Sequence, residues 1–191
     1  GFNAGSNLEA NGVAAVAFIN TFVATAAAAV AWCIVEQIHH GKPSMLGAAT
    51  GAVAGLVAIT PASGFVSPVS AILIGLIVAV VCYLAVAVIK GKLGYDDSLD
   101  AFGIHGVGGA LGAVLTGVFA TSAVNFGSGA IDGNVAQIWV QVKGVAISAV
   151  YCAIVTLVIL KVIDVVIGLR VSKEVEVEGL DLNLHGETVH D

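Results

Sequence analysis

The chain has 191 residues, of which 58% are hydrophobic and only 10% are charged, and its mean hydropathy is +1.02. In an ordinary soluble domain about a quarter of the residues are charged, so this composition excludes a typical water-facing surface and indicates a protein embedded in lipid. About half of the acidic residues lie after Ile163, so the net charge of −6 says little about partners, and the lack of a basic patch argues against nucleic-acid binding.

Five apolar runs follow one another along the chain, separated by polar, charged or Gly/Ser-rich loops. A helix needs about 20 such residues to cross the ~30 Å hydrocarbon core at ~1.5 Å per residue. The second run lies at the short edge of that range. We predict an all-α, polytopic membrane helix bundle with about five transmembrane helices in residues 1–163 and a cytoplasmic tail in residues 164–191. The apolar runs are residues 10–35, 44–60, 66–89, 101–120 and 135–163.

Basic residues are confined to alternate loops. Lys42 lies in the first loop, Lys90 and Lys92 in the third, and Arg170 and Lys173 in the tail, whereas the second and fourth loops contain no Lys or Arg. If all five runs cross the membrane, these basic segments share one side, which the positive-inside rule places in the cytoplasm. We therefore predict an external N-terminus and a cytoplasmic tail.

Cysteines and the first residue bear on the class of protein. Cys33, Cys82 and Cys152 lie in apolar stretches without a CxxC pattern, and we interpret them as small apolar residues rather than metal ligands or a disulfide framework. The chain opens at Gly1 without an initiator Met or a basic segment typical of a signal peptide. We expect its first residues to correspond to the middle of a longer protein.

Glycines recur every four residues in two of the predicted helices. Gly47, Gly51 and Gly55 form one such series, and Gly108 and Gly112 form another. Small residues at this spacing let two helix backbones approach closely, which favours helix association in lipid. We predict that both glycine faces pack against neighbouring helices.

His105 is the most informative single residue, because it lies inside the fourth apolar run. An ionisable group within the membrane usually faces a cavity, a proton relay or the bundle interior. Neutral imidazole can accept one hydrogen bond and donate another, which suits the passage of a small molecule with N–H groups. A hydrogen bond across helices for packing alone is the alternative. The space left by Gly103 and Gly106 favours a pore.

Other polar residues carry weaker signals. Asp100 lies at the start of the fourth run, where a carboxylate complements the positive end of the helix dipole, so we predict capping rather than catalysis. Asp96 and Asp97 are interpreted in the same way. Phe2 and Ser6 precede the first helix; an aromatic face attracts cations and a hydroxyl accepts hydrogen bonds, but these residue types alone are not specific.

Five ordered motifs resemble those of the Amt/Rh ammonium transporter family. The resemblance covers essentially the whole chain, and the tail motif makes it closer to the Amt branch. The motifs are GFNAGS at 1–6, AFxNTxxATAAA at 17–28, GKPSxLGAxxGAxAGLVxxTPA at 41–62, DxFGxHGxxG at 100–109 and GLRVxxExExEGLDxxxHGE at 168–187.

The resemblance implies a homotrimeric transporter in the cell membrane, neither an enzyme nor dependent on a cofactor. Family members have eleven helices, ten of them in two inverted halves, with a pore through each subunit. The five helices predicted here match helices seven to eleven, so this is the C-terminal half. By the same resemblance, Phe2 matches a phenylalanine of the outer gate, Ser6 the serine that recruits external ammonium, and His105 the second of twin pore histidines.

The resemblance also assigns a role to the tail. The family tail docks on the cytoplasmic face, contacts a neighbouring subunit and lies where PII-type signal proteins block the pore. The alternative is a disordered tail. The residues that match the motif are Gly179, Leu180, Asp181, His185, Gly186 and Glu187.

The expected function is ammonium uptake. Ammonium would be recruited outside and partly desolvated, and His105 would guide ammonia or its proton through an apolar pore. The sequence does not decide between the gas and the ion. An ammonium sensor and an inactive half-transporter that needs its N-terminal half remain alternatives. An intramembrane hydrolase is disfavoured, because no serine stands in a nucleophile setting that pairs with His105.

Overall fold

The computed structural model describes residues 1–188, which form helices joined by turns and contain no strand. The all-α prediction is therefore confirmed. The helices are α1 (Phe2–Gly5), α2 (Gly12–His40), α3 (Met45–Ile59), α4 (Pro68–Leu93), α5 (Phe102–Phe119), α6 (Ala136–Val166) and α7 (Lys173–Glu178). Short turns at Ala130–Asp132 (3₁₀) and Asp181–His185 (π) complete the described structure.

Four of these helices are long and apolar enough to cross a membrane: α2, α4, α5 and α6. The second predicted run becomes α3, which has only 15 residues. At ~1.5 Å per residue α3 falls short of the ~30 Å hydrocarbon core. Its N-terminus is set by the Ser44 hydroxyl, which accepts from Gly47 N at 2.8 Å. The chain turns directly after Thr60, so α3 is shorter than its apolar run.

Residues Gly1–Val145 form one compact unit, in which α2 packs against both α3 and α4. Small residues make these contacts close, as predicted. A Cβ on Gly55 would lie 2.8 Å from Ala24 O, and one on Gly51 would lie 2.5 Å from Trp32 Cβ. Because real Cβ atoms do not approach other heavy atoms this closely, glycine is required where α3 crosses α2.

A buried amide fastens the turn between α3 and α4. Asn20 is fully buried on α2, and its Nδ2 donates to Ser63 O and to Val66 O, both at 2.7 Å. Backbone carbonyls in a turn have no helical partner, so these two bonds satisfy groups that burial would otherwise leave unpaired. The turn is thereby held against α2 at the end of the unit that also carries α1.

The second unit, Ala146–Asp191, is described to Thr188 and contains the C-terminal part of α6, α7 and the π turn. The Ser172 hydroxyl accepts from Val175 N at 3.5 Å at the start of α7, and Arg170 Nη2 lies 2.6 Å from Glu176 Oε1. Neither observation tests where the membrane domain ends, so the boundary at residue 163 stays a prediction.

Candidate functional site

His105 lies in a short π-helical segment, Phe102–Gly106, that begins α5. Gly103 and Ile104 are buried in this segment, whereas His105 is exposed. No described residue forms a hydrogen bond or an ion pair with its ring. The imidazole therefore lies on a face of α5 that the rest of residues 1–145 leaves uncovered, free to accept and donate.

The packing on the opposite face of α5 explains why the His105 side chain lies on the uncovered face. A Cβ on Gly103 would lie 2.7 Å from Val86 Cγ2, and one on Gly108 would lie 3.0 Å from Cys82 Sγ. The small-residue face of α5 thus packs against α4. His105 stands away from that contact because Gly103 and Gly108, rather than larger residues, occupy the packed side.

The start of α5 is organised by two carboxylates and one lysine. Asp97 Oδ2 accepts from Phe102 N at 3.0 Å and from Gly103 N at 3.3 Å, so Asp97 supplies the side-chain cap. Asp100 instead pairs with Lys90 Nζ, which also donates to Asp97 O at 2.9 Å. This corrects the cap predicted for Asp100: its carboxylate faces Lys90, and only the favourable position near the helix dipole remains.

Phe2 and Ser6 line a cleft of about 330 Å³ at the end of the unit where α2 begins. Ser6 Oγ donates to Phe2 O at 2.8 Å, which leaves the hydroxyl lone pairs as acceptors. Asn3 Nδ2 donates to Thr21 Oγ1 at 3.0 Å and ties α1 to α2. The Phe2 side chain is 88% exposed, so its aromatic face is open to a ligand or to another part of the protein.

Two loops form the other wall of this cleft. Phe65 and Phe126 contact each other edge to face, with ring centroids 5.4 Å apart, and Thr121 N donates to Phe65 O at 2.9 Å. Asn125 lies beside them in the cleft. Sequence reasoning missed this wall, because Phe65 and Phe126 are far apart in the chain and nothing in the sequence indicates that the two loops meet.

Asp132 organises the loop after α5. Its carboxylate accepts from Ser122 N at 2.7 Å and from the hydroxyls of Thr121 and Ser122. The hydrogen bond from the Ser122 backbone amide is the largest influence and lowers the pKa of Asp132 below its ordinary value of 3.8. Desolvation opposes this shift, and the hydrogen bonds from the Thr121 and Ser122 hydroxyls add to it. The loop that carries Phe126 is therefore held by an ionised carboxylate. Among residues 1–188, no cluster of His, Cys, Asp and Glu could hold a metal ion.

Comparisons with known proteins identify the family. The model of the Ammonium Transporter Family matches residues 1–190. The chain belongs to the ammonium transporter family. It is 55% identical over 190 residues to an ammonium transporter of Aquifex aeolicus (strain VF5), an alignment that covers 100% of this chain and 45% of that protein. The chain spans about half the length of the curated relatives it matches.

Solved structures of the ammonium transporter family share the fold. The crystal structure of Saccharomyces cerevisiae Mep2 aligns with a TM-score of 0.86 and 35% identity over 91% of this chain and 40% of that one. A structure described as "Sensor Amt Protein" aligns with a TM-score of 0.86 and 32% identity over 96% of this chain and 45% of that one. The family prediction is confirmed, and with its apolar helices the chain is a multi-pass membrane protein.

Of the tail residues that match the family motif, Gly179 is half-buried and the other five are exposed: Leu180, Asp181, His185, Gly186 and Glu187. Gly179 and Gly186 adopt positive φ values of 106° and 64°, which favour glycine, and they enclose the π turn. Glu187 N donates to Asp181 O at 3.0 Å and closes that turn. The tail is thus a folded motif with an open surface, and its binding partners stay a prediction.

Proposed function

We propose that this chain forms one wall of an ammonium-conducting pathway in a homotrimeric transporter of the cell membrane. Family membership supports the substrate, and one structural observation carries the proposal: an imidazole exposed on an apolar membrane helix. An uncovered ionisable ring is costly against lipid. The exposed face of His105 is therefore better explained by a pathway completed by another part of the fold.

The outer cleft is suited to recruit ammonium. The Phe2 face attracts a cation, and the Ser6 hydroxyl can accept an N–H bond because its own hydrogen is directed to Phe2 O. These contacts would replace part of the hydration shell at the entrance. Phe2 would then act as the gate residue, and Ser6 as the recruitment residue.

Selectivity would arise at His105. A neutral imidazole nitrogen can accept from ammonia or receive a proton from ammonium, whereas K⁺ has no hydrogen to donate. The apolar surroundings disfavour a bare ion, which raises the barrier for K⁺ further. The net transported species, gas or ion, depends on whether the proton follows the nitrogen.

Transport is measured best in a joined transporter, in which this chain replaces the matching segment of the Aquifex aeolicus relative. In cells without ammonium transporters, we expect the joined transporter to take up labelled methylammonium. We expect His105→Ala to lower uptake about tenfold, the loss of one hydrogen bond of roughly 1.4 kcal/mol. His40→Ala, an exposed histidine at the end of α2, is the matched control.

Unchanged uptake and unchanged exclusion of K⁺ in His105→Ala would reduce the histidine to a structural role.

The similarity to the "Sensor Amt Protein" structure supports a second candidate, an ammonium sensor that signals through its tail. A sensor would bind ammonium without appreciable uptake in the same cells.

We propose further that the N-terminus is external and that the tail, from residue 164, is cytoplasmic. We also propose that the tail is the surface that binds a PII-type signal protein.

A further inference from the structure

Two π-helical segments pack against each other in the first unit. One, Ala85–Ile89, interrupts α4, and the other, Phe102–Gly106, begins α5 and contains His105. Val86 of the first segment contacts Gly103 of the second so closely that no Cβ would fit there. π-helical turns are rare and occur frequently at functional sites. Their pairing beside His105 therefore calls for an explanation beyond helix packing.

A single ion pair connects the ends of these two segments. Lys90 directly follows the first segment, and Asp100 directly precedes the helical start of the second. Lys90 Nζ pairs with the Asp100 carboxylate and also donates to Asp97 O at 2.9 Å. Both paired side chains are 27% exposed, so solvent screens this pair less than it screens a fully exposed one.

Asp100, in the turn that leads into α5, has an unusual backbone conformation. Asp100 has a φ of 56°, a left-handed conformation that is uncommon for a residue other than glycine. Asp100 O still accepts from Ile104 N at 2.9 Å, so the turn leads directly into the segment that carries His105. The ion pair holds Asp100 in the conformation from which the second π segment starts.

We propose that Lys90 is a positioning residue for transport: through its pair with Asp100 it sets the register of the second π segment and thereby the direction of the His105 ring. A π turn has one residue more per hydrogen-bonded ring than an α turn. Relaxation of Phe102–Gly106 to α-helical geometry would rotate His105 relative to the Gly103 contact. Lys90 therefore acts on the substrate only through His105.

This inference rests on the proposed transport function, so its test combines transport with a measurement that needs none. In the joined transporter, we expect Lys90→Ala to lower the maximum rate of methylammonium uptake about tenfold at matched surface abundance. The concentration for half-maximal uptake should stay unchanged, because the outer cleft at Phe2 and Ser6 is intact. Lys90→Arg should restore the rate, and Lys92→Ala, at an exposed position two residues further on, should leave it unchanged.

The second measurement follows the position of residue 105 directly. With the native cysteines replaced by serine, His105→Cys is labelled with a small thiol reagent in the presence and absence of Lys90→Ala. We expect a clear change in labelling rate at position 105 and none at an Ala110→Cys control in the α-helical part of α5.

The outcomes separate the two proposals. A joined transporter with native Lys90 that takes up no methylammonium contradicts the proposed transport, while the labelling experiment still decides the role of Lys90. Equal labelling rates with and without Lys90→Ala would overturn the positioning role. A loss of uptake explained wholly by lower surface abundance, or one that Lys90→Arg does not restore, would do the same.

Discussion

The imidazole of His105 lies on an uncovered face of a helix whose other side is tightly packed. Its neighbours Gly103 and Ile104 are buried, so the ring cannot turn inward without displacing the contact between α4 and α5. The sequence indicates an important residue here because a lone histidine within an apolar run is costly in lipid. The direction of the ring was not predictable, since it depends on which glycines of α5 meet α4.

The lowered pKa of Asp132 leads to a testable prediction for this single residue. Bonds from the Ser122 amide and from two hydroxyls lower its pKa below 3.8. A depressed pKa in the folded protein means that the stabilisation of the loop is present above 3.8 and is lost as the pH falls through the folded value. We expect the hydrogen-exchange protection factor of the Ser122 amide to be constant near neutral pH and to fall as the pH drops below 3.8.

Asp132→Asn supplies the control for that measurement. The variant keeps an acceptor oxygen but has no titrating carboxyl, so its protection at Ser122 should be lower than that of the native loop at neutral pH and independent of pH over this range. Constant protection in the native protein would show that the ionised carboxylate does not hold the loop.

At the scale of helices, glycine contacts decide which faces meet. A Cβ atom on Gly112 would lie much closer to Ala58 O than the van der Waals contact distance allows. A Cβ atom on Gly109 would have only one neighbour within 4 Å, Val57 Cγ1 at 3.7 Å. Because the neighbour of Gly112 is backbone, α3 and α5 must separate to admit a methyl group. We expect Gly112→Ala to lower the free energy of unfolding by about 1–3 kcal/mol.

Gly109→Ala is the matched control, three residues away on the same helix. The added methyl group makes ordinary contact, and alanine favours the helix by up to about 1 kcal/mol over glycine. Thermal unfolding in detergent should therefore give an unchanged or higher midpoint for Gly109→Ala and a lower one for Gly112→Ala. A ranking in the opposite order would mean that α3 and α5 are farther apart than the structure has them.

The helix order was predictable from hydropathy, since each long helix coincides with a run almost free of charge. The ends were less predictable. The run predicted as 10–35 continues as helix to His40, because polar residues extend a helix beyond the apolar core. The two π segments have no sequence signature, and the Lys90–Asp100 pair joins α4 to the turn that precedes α5. Only the spatial structure reveals that these features converge near His105.

At the scale of the whole molecule, if this chain forms one wall of a pathway, another part of the fold must form the opposite wall. The first unit presents Phe2, Ser6 and His105 on exposed surfaces, which is expected if another half of the fold completes the pore. In the transporter proposed above these residues would be enclosed, and coverage of about half of each relative's length agrees with this proposal. The outer cleft, the His105 face and the Lys90 junction lie along successive parts of one proposed pathway.

The tail is the part of the molecule through which the subunits of a trimer could communicate. Leu180, Leu182 and Leu184 are all exposed in the tail, and none of residues 1–188 covers this apolar edge. Exposed leucines spaced along a folded turn are typical of a docking surface. Docking couples subunits only if the tail binds one state of the pore better than another.

Truncation after Gly168 tests this coupling in the joined transporter. We expect lower methylammonium uptake at equal membrane insertion, because the pore would lose the contacts through which the tail favours its conducting state. A triple variant, Leu180→Ser with Leu182→Ser and Leu184→Ser, should give a similar loss while the chain keeps its length. Lys173→Ala, on the exposed surface of α7, is the control. If the truncated and intact proteins transport equally at matched surface abundance, the tail does not regulate the pore.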